Sequence, residues 1–210
     1  MTIPTENDVT ARSAFALDVH PVPRCDAVIA GDKWRITMLT ESLVRFEWSD
    51  AGRFEDYATQ TILNRDLGRT PSYRVTHSRG LTIVDTAALH IVYDGRPFSK
   101  EGLSVVVGGM ANSQNNTWHY GDVQRGNLKG TARTLDEADG CIPLGDGVIS
   151  RDGWAVLDDS RSNLIIETNV VNGTPNPFGT WVSLGTMMRP TCTSSATGTV
   201  ISKRCVISTD

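Results

Sequence analysis

The chain has 210 residues, which suits one large domain or two small ones and is long enough to bury a sizeable core. Apolar residues make up 39% and charged residues 21%, a globular balance, and the formal net charge is -4. That acid excess gives no electrostatic footing for nucleic acid or an anionic membrane as a partner.

The opening "MTIPTENDVTARSAFALDV" has no basic segment followed by an apolar run, and no stretch approaches the ~18 consecutive apolar residues of a membrane span. A cytoplasmic protein is expected. Residues 1–24 read as an N-terminal extension. "KWRITMLTESLVRFEWS" then alternates apolar and polar residues, with Trp34, Ile36 and Met38 in one run and Val44, Phe46 and Trp48 in the next. Period-two alternation marks half-buried strands, and "TES" between the runs is a tight connection, so a hairpin is predicted. The scheme repeats at Tyr73–His77, Leu81–Asp85 and Leu89–Tyr93, with turns at "SRG" and "DGRP" and a further strand at "LSVVVGG". Residues 109–147 are rich in Gly, Asn and Asp and are expected to form a long loop between sheets, broken at most by a short turn at "ARTLDEADG". "VISRDGWAVLDDS" predicts a strand, an "RDG" turn and a second strand. No segment keeps a helical period over three turns. The fold class is therefore all-β: an antiparallel β-sandwich or barrel.

Few signals for chemistry are sharp. "GNLKGT" lacks the GK[ST] ending and following helix of a phosphate loop. "DEADG" and "GDG" lack the ligand spacing of a calcium loop, and Cys25, Cys141, Cys192 and Cys205 form no CxxC pair. No metal and no cofactor is predicted. His119 in "NNTWHYGD", beside Trp118, is the best single candidate for sugar contact, with Trp118 a further rim candidate, because aromatic planes stack on pyranose faces and planar polar groups bond their hydroxyls. A packed loop anchor is the competing role for both.

"GNLKGTARTLDEADGCIPLGDGVISRDGWAVLDDS" resembles the N-terminal domain of glycoside hydrolase family 31, the α-glucosidase and α-xylosidase family. The matching positions are Asn127, Leu128, Gly130, Thr131, Arg133, Thr134, Leu135, Asp136, Gly140, Asp146, Gly147, Ser150, Arg151, Gly153, Trp154, Asp158, Asp159 and Ser160, and Gly145 stands where an acidic residue is common. "RITMLTESLVRFEWSDAGRFEDYATQTILNRDL" and "LHIVYDGRPFSKEGLSV" are similar to earlier parts of that domain. The resemblance covers about residues 25–182. It implies a galactose-mutarotase-like β-sandwich preceding a (β/α)₈ barrel that carries both catalytic carboxylates of a retaining hydrolase. No residue of this chain then inherits a catalytic role. The implied ligand of the full-length enzyme is an α-linked oligosaccharide or glucoside. The loop the family sends to the active-site rim falls at Arg133–Asp136, which makes Asp136 and Arg133 substrate-rim candidates. The alternative is that these two pair with each other to shape the loop.

The last stretch, residues 183–210, departs from the family after Trp181 and Val182. It holds no acidic residue before Asp210 and is crowded with small hydroxylated side chains. Family members continue with a W-V-x-P-R segment and then D-L-Y-x-F-x-Y-G-H. Reading the third base of each codon with the first two of the next, permitted wobble choices let Ser183–Asp210 spell PRDHDATDLYLFGYGHRDFKALRDFYR. A frameshift near Ser183, with a disordered tail beyond it, is expected. Three functions compete: a truncated family 31 α-glycosidase inactive alone, a stand-alone carbohydrate-binding β-sandwich, and a mutarotase-like enzyme, which would need a positioned His and Glu pair. A sandwich without its barrel is also expected to expose an apolar face that can self-associate.

Overall fold

The computed structural model describes residues 19–108, 116–130, 139–160, 162–167, 170–171, 174–175, 180–183 and 197–203. A 3-10 turn at Cys25–Ala27 leads into β1 (Val28–Ala30), β2 (Trp34–Thr40) and β3 (Leu43–Trp48). The predicted hairpin is β2–β3, with Trp34 opposite Trp48 and a bulge between Met38 and Thr40. After the short β4 (Ala58–Thr59), a meander follows: β5 (Tyr73–Ser78), β6 (Leu81–Thr86), β7 (Leu89–Tyr93), β8 (Leu103–Val107) and β9 (Thr117–His119). These five strands pair in sequence order, each antiparallel to the next. The "SRG" turn is real: Arg79 and Gly80 have φ of 51° and 80°, so the β5–β6 hairpin uses a turn that needs two left-handed residues.

Further on come β10 (Trp154–Asp158), β11 (Leu164–Glu167), β12 (Val170–Val171), β13 (Thr174–Pro175), β14 (Thr180–Ser183) and β15 (Thr197–Lys203). A second five-stranded sheet has the order β1-β2-β3-β15-β10, a three-stranded sheet the order β14-β11-β4, and β12 and β13 form a pair of their own. All pairings are antiparallel, and no α-helix occurs among the described residues. No helix there is long and apolar enough to cross a membrane.

The two large sheets face each other. Ile36, Met38, Val44 and Phe46 from β2 and β3 pack against Val84, Ile91, Tyr93, Leu103, Val105 and Val107 from the meander, with Trp118 and Trp154 completing the core. Alternation along each strand sends every second side chain inward, and that burial drives the sandwich. One end is closed by aromatic rings. Phe98, from the "DGRPF" turn, lies 5.4 Å from both Tyr93 and Tyr120, and Trp34 meets Tyr93 edge-on at 5.2 Å.

Three sequence expectations need correction. Strand β9 lies inside the stretch taken as one long loop, because Thr117 and Trp118 continue the meander beside Val106 and Val105. The strand expected at Val148–Ser150 is only a single bridge, Ser150 to Asn127. The tail expected to be disordered is a strand over Thr197–Lys203, where "TGTVISK" concentrates β-branched residues and pairs on both sides. Most of the 1–24 extension, most of the short turn at "ARTLDEADG" and the rest of the tail lie outside the described residues.

Candidate functional site

The second face of the β2–β3 hairpin is also buried, and it is ionic. Arg35, Thr37, Arg45 and Glu47 are all nearly inaccessible. Arg35 and Glu47 are direct cross-strand partners, and the guanidinium grips the carboxylate through two bonds of 2.7 and 3.1 Å. Arg45 Nε lies 3.3 Å from Glu47 Oε1, the oxygen that also takes the 3.1 Å bond from Arg35, and its Nη1 donates to Asp159. Asp159 also accepts from Thr59 Oγ1 at 2.9 Å, tying β4 and the end of β10 to the hairpin. Arg35 reaches out to Asp56 at 2.8 Å, and Arg65 donates to the Glu55 and Tyr57 carbonyls. Burial pushes the Glu47 carboxyl up, but the hydrogen bond from Arg35 and the charges of Arg45, Arg35 and Arg65 outweigh it and hold it below the usual range. Arg65 is pulled down to about 10, first by burial and then by repulsion from Arg45. The Asp-Asp-Ser run thus places its second aspartate in a structural charge cluster.

The rest of the motif builds a clamp. The Asn127 amide donates to the Gly147 carbonyl at 2.8 Å and accepts from the Gly147 N–H at 2.9 Å, so a side chain pairs with backbone as a strand would. Gln124 repeats the device on β10, donating to the Val156 carbonyl at 2.6 Å and accepting from its N–H at 2.7 Å. Lys129 pairs with Asp146, and Leu128 N–H bonds the Ile149 carbonyl at 2.9 Å. A Cβ at Gly147 would sit 2.6 Å from the Lys129 carbonyl oxygen, so the close approach of the two segments demands glycine. These contacts hold residues 124–129 against residues 146–156, which are the two flanks of the segment containing Arg133 and Asp136. Those two candidates themselves lie outside the described residues.

Beside the clamp opens a groove of about 430 Å³, lined by Lys100, Thr117, Asp122, Arg125, Asp152 and Trp154 among others. Lys100 Nζ lies 2.8 Å from Asp122 Oδ1, and His119 Nδ1 lies 3.3 Å from Asp122 Oδ2. The hydrogen bond from Lys100 holds the Asp122 carboxyl below the usual range, and the same bond raises Lys100. The groove brings cations, carboxylates and a hydroxyl together at one mouth. Trp118 does not serve there. At 2% exposure its indole is a core side chain, which corrects its assignment as a sugar-contact residue. His119 is half-exposed and does not line the groove, but it is held to Asp122, which does, through both its ring and its backbone N–H. Sequence reasoning missed Lys100, Asp122 and Arg125; the "YGD" turn, with Gly121 at φ 83°, was the signal that Asp122 is presented on a tight loop.

No protein-family model matches the chain, and no curated protein matches it.

Proposed function

We propose that this chain is the non-catalytic N-terminal β-sandwich of a family 31 α-glycosidase, a retaining hydrolase of O-glycosyl bonds in its full-length form, and that the chain alone has no glycosidase activity. The supporting observation is convergence. Four positions of the resemblance, Asn127, Asp146, Gly147 and Ser150, take part in the clamp, while Trp154 lies in the core and Asp159 in the charge cluster. The sandwich is all-β and antiparallel, as this reading requires. The galactose-mutarotase-like character of the sandwich belongs to the same proposal. The catalytic carboxylates would come from a barrel encoded in the other frame beyond Ser183, and Asp136, Arg133 and His119 would be the substrate-rim residues.

Two measurements test it. The codons for Ser183–Asp210 should give the D-L-Y-x-F-x-Y-G-H pattern in the shifted frame; codons that do not would sink the frameshift. The purified chain should release no p-nitrophenol from p-nitrophenyl α-glucoside above blank, whereas the gene restored by a single-base change should. A stand-alone sugar-binding module is the second reading, favoured by the polar groove at Lys100, Asp122 and Arg125. A saturable calorimetric isotherm with glucose, xylose or maltose, abolished by Arg125→Ala, would establish that reading instead.

A further inference from the structure

We propose that the slot between β3 and β10 is a strand-acceptor site, and that its partner is residues 197–203 of a second copy of this chain, exchanged reciprocally. Strand β15 is an interior strand of its sheet, with Ser202 opposite Leu43 on one side and Lys203 opposite Trp154 on the other. Both neighbours are antiparallel to it, so β3 and β10 run parallel to each other and no hairpin can close them. With β15 withdrawn they stand two strand spacings apart, roughly 9.6 Å, each showing a row of unpaired N–H and C=O groups.

The outer edges of the same sheet are managed differently. β1 is only three residues long, and the far edge of β10 is met by the Gln124 amide, which uses both backbone groups of Val156. Short strands and side-chain caps are how a sheet refuses further strands. The interior slot has no such guard; only a strand satisfies it. That strand comes last in chain order. Among the described residues β10 has only β15 as a ladder partner, and it is held beside the slot by Trp154 in the core, the Gln124 amide on Val156 and the Arg45–Asp159 ion pair, so the slot can stay open while β1, β2 and β3 form.

Reach permits exchange. Thirteen positions separate Ser183 from Thr197 and can span on the order of 40 Å at ~3.3 Å each, about the diameter of a domain this size. Residues 197–203 from a second copy would make the same ladder pairs as the chain's own, so concentration during folding decides which is captured. The exchange is two-fold symmetric and closes at a dimer.

The test uses full-length chains in which the four native cysteines are replaced by serine. One chain carries Leu43→Cys and the other, differently tagged, carries Ser202→Cys. After unfolding and refolding together at high concentration, a disulfide-linked heterodimer is expected, on the order of tenfold above a control mixture that places the first cysteine at Asp85→Cys on the opposite sheet. No excess over that control overturns the proposal, whether or not the Leu43→Cys/Ser202→Cys double variant closes within one chain. Should the cysteine-free background not fold, the unaltered chain supplies a second readout. Isotope-labelled and unlabelled copies refolded together should give mixed dimers by native mass spectrometry, and copies folded separately and then mixed should not. Monomers only, or equal mixing in both cases, overturns it.

Discussion

Arg79 holds a left-handed conformation, φ 51°, at a hairpin position that favours asparagine or glycine. Replacing Arg79→Asn should stabilise the protein by up to about 1 kcal/mol, since asparagine enters that region with less steric cost. Urea denaturation read by tryptophan fluorescence measures it. Glu47 makes the opposite case. Its depressed carboxyl contributes stability that is fully present above the ordinary carboxylate value and is lost as pH falls through the lowered folded value. Glu47→Gln leaves Arg35 and Arg45 facing each other without their shared anion, at a cost of about 3 kcal/mol near neutrality. The gap between the two proteins should begin to narrow as pH falls below the ordinary glutamate value and close as it passes the lowered folded value. Parallel unfolding curves at pH 7 and pH 3 check both magnitude and sign; an unchanged gap would remove the assignment of that anion to the cluster.

At the scale of elements, the alternating segments were legible and the side-chain pairing was not. Trp34–Met38, Val44–Trp48 and Tyr73–Tyr93 announce strands because one face of each is apolar. Arg35, Arg45 and Glu47 read as a solvent-facing row by the same rule, yet they are buried, because the chain from Ser49 to Arg65 and Asp159 supply matching charges from distant positions. Periodicity reports that a face is polar; it does not report what covers it. The clamp was hidden for a related reason. Asn127 and Gln124 act as one-residue strands, and nothing local distinguishes an amide that pairs with backbone from one that faces water. The family pattern flagged Asn127 without its physical role. Gly147→Ala should displace the Lys129 carbonyl and cost about 1–3 kcal/mol, seen as faster amide exchange at residues 127–129 and 146–150 ahead of the sandwich strands.

For the molecule as a whole, the apolar balance is uneven. Val123, Leu128, Leu144, Val148 and Ile149 are exposed within one stretch of the chain, Val123 to 80%. Isolated exposed apolar residues are ordinary, but five within residues 123–149 give that part of the chain an excess of apolar surface. Changing Val123, Leu128 and Val148 together to serine should lower binding of a hydrophobic dye by about half with little loss of stability. Undiminished dye binding would show that the exposed surface lies elsewhere.

The sheet built on β2 and β3 is insulated from water on two sides by unlike materials, hydrocarbon against the meander and ion pairs against the Ser49–Arg65 segment. Hydrocarbon contacts weaken on cooling, whereas the carboxylate pairs weaken on acidification. Chilling and acid therefore attack opposite sides of one sheet. The molecule should come apart in a different order under each stress: the meander loosens first in the cold, and the Ser49–Arg65 segment lifts first in acid.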